Sequence, residues 1–295
     1  MITQIKFISK PSQLIRQRHS CRTYQNRPLD SQDLQLMDSC ASRAWQGPLG
    51  NHSRFRVLSA ADQDNSRLTR LGTYGFIKHP AAFLVGAASR QPNALVDFGY
   101  CMEQIILKAT ELAIGTCWLG VTFTSNRFSS QIDLDPRESI PAVASLGYPA
   151  DHRAWMDRVS RIYAGSDHRL PWETLFFQER WDKPLPRDET EAYLEPLQLV
   201  RLAPSASNKQ PWRLLFDGEG WHFYLKRTPH YPPPAVQYFL PIADLQRIDM
   251  GIALAHFSLG LEEAGIGGKW MVEDPGLNSP ENSLIYIITW KEDRV

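Results

Sequence analysis

Two stretches of this sequence decide the fold: Asp97–Trp118, DFGYCMEQIILKATELAIGTCW, and Asp249–Trp270, DMGIALAHFSLGLEEAGIGGKW. In both, apolar residues recur every three or four positions, which is the spacing of one face of an α-helix. Both reach a glycine near their ends, and glycine commonly stops a helix. Each stretch therefore predicts a long buried helix, and we expect Asp97 and Asp249 to cap the two helix N-termini.

The two stretches look like copies of one another. Aligned without a gap they share seven identical positions, including Asp, Gly and Trp residues that apolar spacing does not require. The loop and strand GNHSRFRVLSA from Gly50 resemble SNKQPWRLLFDG from Ser207, in the same order along the chain. A period of about half the chain indicates a duplicated fold and not a solenoid. We expect an α+β chain of two homologous α/β halves, packed as an intrachain pseudo-dimer about a pseudo-two-fold axis.

The duplication divides the chain into three parts. Residues 1–157 form the first half, and residues 189–295 form a second, shorter half. Residues 158–188, called the crossing arm below, are basic at their start, aromatic in the middle and interrupted by prolines. We predict that this arm extends from one half to the other. A disordered linker would not carry its large aromatic residues, which are Trp172, Phe176, Phe177 and Trp181.

Composition excludes several classes of protein. The 295 residues are 43% hydrophobic and 22% charged with no formal net charge, so no global field attracts nucleic acid or an anionic membrane. The four cysteines form no CxxC motif and the histidines show no ligand spacing. We therefore expect no metal and a reducing, cytoplasmic location. The N-terminus lacks the apolar core of a signal peptide, and no run approaches the ~20 apolar residues of a membrane span.

The N-terminal segment Arg16–Tyr24, RQRHSCRTY, is the first candidate binding cluster. It follows a short helical run that begins near Ser12, and it holds three arginines, a histidine and a serine. Arg18 and Arg22 are four positions apart, so a helical turn or its margin could direct two guanidinium groups at one anion. The same composition also fits a solvated basic helix face, and the cluster alone does not decide between the two.

The second candidate cluster is Pro204–Trp212, PSASNKQPW, which lies between an apolar helix-like run and an apolar strand-like run. Its hydroxyls, amide and backbone N–H groups could hold a polar ligand, and the prolines restrict the backbone around them. A plain helix-to-strand loop would have the same composition.

Other motifs fail: Lys269 is not followed by Ser or Thr as in a phosphate-binding P-loop, and no GxGxxG follows a strand. No catalytic acid, base or nucleophile is predicted.

Together, RHSCRTY, APSASNKQPWR, IGTCWLG and DMGIALAHFSLGLEEAGIG resemble the FMN-dependent nitroreductase family over nearly the whole chain. Ordinary members are homodimers whose two FMN sites take the arginine–serine motif from one subunit and the PSxxN loop from the other. Here each motif occurs once, in a different half, which matches the single-chain, pseudo-dimeric subgroup. The resemblance therefore implies one FMN per chain, and a chain that need not dimerise to complete its site.

The resemblance also implies roles for individual residues. Arg18 and Ser20 would face the FMN phosphate, with Arg169 of the crossing arm closing on it, and Arg22 would approach the N1/C2 edge of the ring. Asp167 replaces a second basic residue that many members carry near Arg169, so phosphate affinity is expected to be lower. The full expected cofactor-binding set is Arg18, His19, Ser20, Arg22, Tyr74, Leu119, Gly120, Arg169, Pro204, Ser205, Ala206, Ser207 and Asn208.

For function, the resemblance implies hydride transfer from NAD(P)H, by way of FMN, to a small electron-poor acceptor. Nitroaromatics, quinones and activated alkenes are the expected acceptors, in a ping-pong reaction. One alternative is a flavin sensor or store without turnover, with the aromatic residues of the crossing arm covering the ring. Another is a flavin enzyme for a specialised substrate, such as a dehydrogenase of peptide-derived rings or a dehalogenase.

Overall fold

The structure, a computed structural model, describes residues 2–59, 77–120, 128–129, 131–150, 168–231, 243–277 and 284–293. The α-helices in this part of the chain are α1 (Pro11–Gln17), α2 (Ser31–Ala41), α3 (Pro92–Glu111), α4 (Leu194–Leu202) and α5 (Leu245–Ala264). Short 3-10 turns occur at Trp172–Thr174, Arg187–Glu189, Glu191–Tyr193 and Ala206–Asn208. None of the described helices has the length and apolar character needed to cross a bilayer.

The first sheet comes from the first half of the chain. Its strands are β1 (Trp45–Gln46), β2 (His52–Ser59), β3 (Ala82–Ser89), β4 (Gly115–Leu119), β5 (Glu138–Ser139) and β6 (Val143–Gly147). They lie in the order β1-β2-β3-β6-β4, with β5 beside β3, and every pair is antiparallel. The central strands β3 and β6 are buried almost throughout, because both faces of the sheet are covered.

The second sheet contains the C-terminal strands and the described part of the crossing arm. Its strands are β7 (Phe176–Gln178), β8 (Arg180–Pro184), β9 (Trp212–Phe216), β10 (Trp221–Lys226), β11 (Gly268–Met271) and β12 (Leu284–Glu292). They lie in the order β11-β12-β10-β9-β7-β8, and β7 pairs in parallel with β9. The described part of the arm thus supplies two strands of this sheet.

The aromatic residues of the crossing arm pack into the second sheet. Trp172 and Phe176 are almost fully buried, and the indole Nε1 of Trp172 donates to the carbonyl oxygen of Leu185 at 2.7 Å. The ring of Trp181 lies 4.9 Å from that of Tyr224, edge to face. These aromatic residues therefore pack against other side chains. That the arm extends from one half to the other stays a prediction.

The two long helices α3 and α5 cross at a pair of glycines between the sheets. A Cβ atom placed on Gly99 would lie 2.2 Å from the carbonyl oxygen of Ile248, and one on Gly251 would lie 1.9 Å from that of Val96. Ile248 and Val96 occupy equivalent positions in the two copies, so the contact is reciprocal, as at a two-fold interface. An origin of this arrangement in a duplicated dimer stays a prediction.

The helix bounds correct two expectations. Both helices begin earlier than predicted, at Pro92 and Leu245, so Asp97 and Asp249 lie inside them and are not N-caps. Proline at the first position of α3 explains its start, because a first-turn residue needs no N–H partner. Trp118 and Trp270, expected at the helix ends, lie instead on strands β4 and β11. The predicted α+β class is confirmed.

Candidate functional site

A pocket of about 390 Å3 lies where the two halves meet. Its walls come from the chain after α1, the end of β4, the first half of α5, Arg169 of the arm and the loop that follows α4. Pockets for small organic ligands commonly measure about 300–1,000 Å3. The cavity is therefore large enough for a cofactor-sized molecule to enter at least in part.

The arginine–serine segment enters the pocket as extended chain. Helix α1 ends at Gln17, and Arg18 already has extended backbone angles. Beyond it the backbone N–H of Cys21 donates to the Thr116 carbonyl at 2.8 Å, and the Arg22 carbonyl accepts from Lys78 N–H at 2.8 Å. The segment thus runs beside the edge of the first sheet, and the margin of a helix, not a helical turn, presents Arg18 and Arg22.

Arg18 reaches a buried carboxylate between the central helices. Nε of Arg18 lies 3.7 Å from Oε1 of Glu103, and the Arg18 side chain is only 7% exposed. Oε2 of Glu103 accepts a hydrogen bond from Nε1 of Trp118 at 2.8 Å. The carboxylate therefore orients two residues of the pocket wall at once.

His256 completes this buried cluster. Its Nδ1 lies 2.8 Å from the Leu199 carbonyl, which can only accept, so Nδ1 carries a hydrogen. Its Nε2 lies 3.2 Å from Oε1 of Glu103. Glu103 therefore contacts Arg18, Trp118 and His256, and this buried cluster links α3 and α5 behind the pocket wall.

The loop after α4 is held in a left-handed conformation. Ser207, Asn208 and Gln210 all have positive φ, at 50°, 53° and 48°. Such angles are unfavourable for residues other than glycine, so surrounding contacts must impose them. The expected supply of open backbone N–H groups is reduced, because those of Ala206 and of residues 208–210 are already bonded within the protein.

The crossing arm fixes this loop. Arg169 donates from Nη1 to Oδ1 of Asn208 and from Nη2 to the Leu202 carbonyl, both at 3.1 Å. Nδ2 of Asn208 donates to the His168 carbonyl at 2.7 Å. Arg169 therefore lies at the pocket wall with its guanidinium engaged by the loop, and it contributes charge together with rigidity.

Asp249 presents a buried oxygen at the pocket. Its Oδ1 accepts from the N–H of Ala206 at 2.9 Å, whereas its Oδ2 has no hydrogen-bond partner among the described residues. Burial raises the pKa of this carboxyl well above its usual range, against the lowering effect of the Ala206 N–H. The pocket thus combines four arginines with one carboxylate, a balance that favours an anionic ligand.

Most residues expected to bind the cofactor line this one pocket. They are Arg18, His19, Ser20, Arg22, Gly120, Arg169, Pro204, Ser205, Ala206, Ser207 and Asn208. Leu119 is buried at the end of β4 and does not line the pocket. Tyr74 lies outside the described residues. Placement in a common cavity does not test binding, so these roles stay predictions.

Eight further residues line the pocket without having been predicted to bind a cofactor. They are Arg16, Cys117, Trp118, Ala142, Leu245, Ile248, Asp249 and Ile252. Three of these, Ile248, Asp249 and Ile252, share one face of α5. The described residues contain no group of acidic, cysteine or histidine side chains that could hold a metal ion. The arrangement is suited to binding and orienting an anionic organic molecule.

Comparisons with known proteins agree with this architecture. The profile of the family described as "Putative TM nitroreductase" matches residues 12–261. The chain is 26% identical over 170 residues to a "Putative NADH dehydrogenase/NAD(P)H nitroreductase" of Archaeoglobus fulgidus, covering 54% of this chain and 97% of that protein. A crystal structure described as a "putative nitroreductase" of Thermotoga maritima matches with a TM-score of 0.59 and 18% identity, covering 99% of this chain and 96% of the other. The shared fold is nitroreductase-like.

Proposed function

Because the chain belongs to the nitroreductase family described as "Putative TM nitroreductase", we propose that it is an FMN-dependent oxidoreductase that uses NAD(P)H. The observation that carries the proposal is the meeting of two distant segments in one pocket. The arginine–serine segment comes from the first half, and the PSASN loop comes from the second. The predicted split site would need this same juxtaposition.

The donor set of the pocket fits FMN. A phosphate requires cations and hydrogen-bond donors, and Arg18 and Arg22 each have a buried nitrogen without a partner among the described residues. Ser20 adds a hydroxyl to the same wall. Ile248 and Ile252 of α5, with Trp118, supply apolar surface for an aromatic ring system.

FMN, when bound, supplies the redox chemistry. The protein residues then bind and orient it: Arg18 and Ser20 hold the phosphate, while the loop from Pro204 to Asn208 fixes the sugar-alcohol chain. Arg22 places a fixed positive charge near the ring, which favours a more negative ring. A nicotinamide donor and an electron-poor acceptor, such as a nitroaromatic, quinone or activated alkene, would use the same open face in turn.

The stoichiometry we propose is one FMN per chain in a monomer. In the first half, the segment equivalent to the PSASN loop closes on Asp97, whose two oxygens accept from Leu49 N–H and from the backbone and side chain of Asn51. The second half of the chain carries no second arginine–serine motif, so a second, symmetry-related site could not be completed. The near-complete match of a relative to 54% of this chain also supports a doubled architecture.

The sensor or storage alternative loses its main motivation. It depended on Phe176, Phe177 and Trp181 covering the ligand. Phe176 is buried in the second sheet, the rings of Phe177 and Trp181 pack against one another, and none of the three lines the pocket. We therefore keep turnover as the proposal.

The test is flavin titration of the purified protein, followed by mixing with NADH or NADPH without air. We expect one FMN per chain and rapid bleaching of its visible absorption. Absence of flavin binding after reconstitution would overturn the cofactor, and two FMN per chain would overturn the single composite site. One FMN that no nicotinamide reduces would favour the sensor alternative.

A pair of variants tests the placement of the phosphate. Arg18→Gln should weaken FMN binding by at least about ten-fold and leave riboflavin binding nearly unchanged, because riboflavin lacks the phosphate. Arg27→Gln is the matched control, since Arg27 is exposed and paired with Asp30 away from the pocket. An equal loss for the two flavins would contradict the assignment.

A further inference from the structure

The Oδ2 atom of Asp249 is a buried acceptor with no partner among the described residues, and Asp249 lies in the wall of the ligand pocket. Asp249 is only 3% exposed. Leaving a buried polar atom without a hydrogen bond is costly, and such atoms in folded proteins usually have a function or a missing partner. Its neighbours Ile248 and Ile252 on α5 are apolar and cannot supply that partner.

The equivalent residue of the first half shows what a closed site looks like. Oδ2 of Asp97 accepts from the backbone N–H of Asn51 at 2.8 Å and from its Nδ2 at 2.9 Å. At the matching position in the second half stands Asn208, whose backbone N–H goes to the Ser205 carbonyl and whose Nδ2 goes to His168. Neither of these two donors of Asn208 reaches Asp249, because one bonds to Ser205 and the other to His168 of the crossing arm.

We propose that Oδ2 of Asp249 accepts a hydrogen bond from a hydroxyl or N–H group of the ligand in this pocket. The inference rests on the proposed function and deepens it, because it adds a donor group to the phosphate as a requirement for recognition. A ligand that fills the pocket without such a donor leaves the carboxylate unpaired, and sites of this kind discriminate strongly against it. Asp249 is then a specificity-determining residue of the site.

Simple electrostatics predicts the opposite effect of removing this side chain. Where the Asp249 carboxyl is ionised, deleting its negative charge from the pocket that also holds Arg18 and Arg22 would tighten the binding of a phosphate. A hydrogen bond from the ligand to Asp249 instead makes its removal weaken binding, by about 10- to 100-fold for a charged acceptor. The sign of the change therefore separates the two explanations.

The experiment measures dissociation constants of FMN, riboflavin and lumiflavin for the full chain carrying Asp249→Ala. Asp249→Asn, which preserves side-chain volume, replaces it if the alanine variant is unstable. Asp97→Ala is the matched control: it removes the equivalent carboxylate from the other half and should leave all three constants unchanged. Thermal unfolding of each ligand-free variant shows that the fold is retained.

We expect weaker binding of FMN and of riboflavin to the Asp249 variant. Lumiflavin has the ring but no sugar-alcohol chain. If the substitution leaves lumiflavin binding unchanged, the donor is a chain hydroxyl. If it weakens lumiflavin binding by the same factor, the donor is the ring N–H. Unchanged or tighter binding of all three flavins to a folded variant would overturn the inference. A wild-type protein that binds no flavin would instead overturn the proposed function, before any variant is compared.

Discussion

Glu103 lies behind Arg18, with 3.7 Å between its Oε1 atom and the guanidinium Nε. Removing one partner of a buried ion pair commonly costs about 3–5 kcal/mol, because the other charge stays buried. Glu103→Leu would leave Arg18 without its nearby carboxylate, and Trp118 and His256 without the oxygens they contact. We expect the free energy of unfolding to fall by about that amount in urea titrations.

The control for this variant is Glu195→Gln. Glu195 also pairs with an arginine of the N-terminal segment, at 2.7 Å from Arg16, but both side chains are nearly half exposed. Exposed pairs contribute about 0–1 kcal/mol. Equal losses of unfolding free energy in the two variants would contradict the prediction, because the buried contacts of Glu103 would then be worth no more than an exposed ion pair.

The helix crossing should tolerate no side chain at its centre. Gly251→Ala would place a Cβ atom 1.9 Å from the Val96 carbonyl, so α3 and α5 would have to separate. Overpacking of a core commonly costs about 1–3 kcal/mol, and backbone against backbone should lie at the upper end. Differential scanning calorimetry checks the loss. Gly267→Ala is the control, since its nearest atom lies at an ordinary 3.4 Å; a comparable loss there would refute the explanation.

Stability should depend on pH through Asp249. Burial raises its pKa in the folded protein well above the ordinary value of 3.8. The folded state therefore binds this proton more tightly than the unfolded state, so the stabilising contribution is full below about pH 4 and is lost as pH rises towards the folded pKa. Within that window the wild type should lose up to about 1.4 kcal/mol per pH unit relative to Asp249→Asn.

Urea unfolding of the ligand-free protein at several pH values measures this difference. Asp97→Asn provides the comparison: burial also raises the pKa of Asp97, but Leu49 and Asn51 donate to its carboxylate and lower it. The pH range over which Asp97 changes the free energy of unfolding should therefore be narrower than that for Asp249. A stability difference between the wild type and Asp249→Asn that does not vary with pH would contradict the prediction.

Arg169 should control the rigidity of the PSASN loop. Arg169→Lys keeps the charge but cannot make both hydrogen bonds, to Asn208 and to the Leu202 carbonyl. We expect amide hydrogen exchange at Asn208 and Gln210 to accelerate by about ten-fold, corresponding to the loss of one hydrogen bond to a charged group. Arg180→Lys, an exposed residue paired with Asp182, should leave these amides unchanged.

Local patterns predicted much of this molecule. The period of three to four residues revealed both central helices, and the identical Asp, Gly and Trp residues revealed that α3 and α5 correspond. Apolar periodicity could not place the helix starts, because Pro92 and Leu245 lie upstream of the repeated segment. The misplaced helix start led to a wrong role for Asp249. The sequence suggested an N-cap, whereas its carboxylate accepts a hydrogen bond from the backbone N–H of Ala206, a contact that depends on tertiary packing.

The candidate site was predictable where it depends on local motifs and not where it depends on packing. Arg18, Ser20 and the PSASN loop carry recognisable chemistry at fixed spacing. Glu103 and His256 do not, since each occupies an apolar helix face and acquires its significance only when α3 and α5 meet. The hydrogen bonds of Asn208 with Arg169 and His168 were equally hidden, because they join residues 39 and 40 positions apart in sequence.

The pocket has a consequence for the order of events during synthesis. Arg18 and Ser20 are translated some 230 residues before Ile248 and Asp249. Until α5 has emerged, the pocket lacks one wall and His256 is missing from the cluster around Arg18 and Glu103. A ligand of this pocket can therefore bind only after both halves have been translated, and it then stabilises the assembled chain by mass action over every incomplete one.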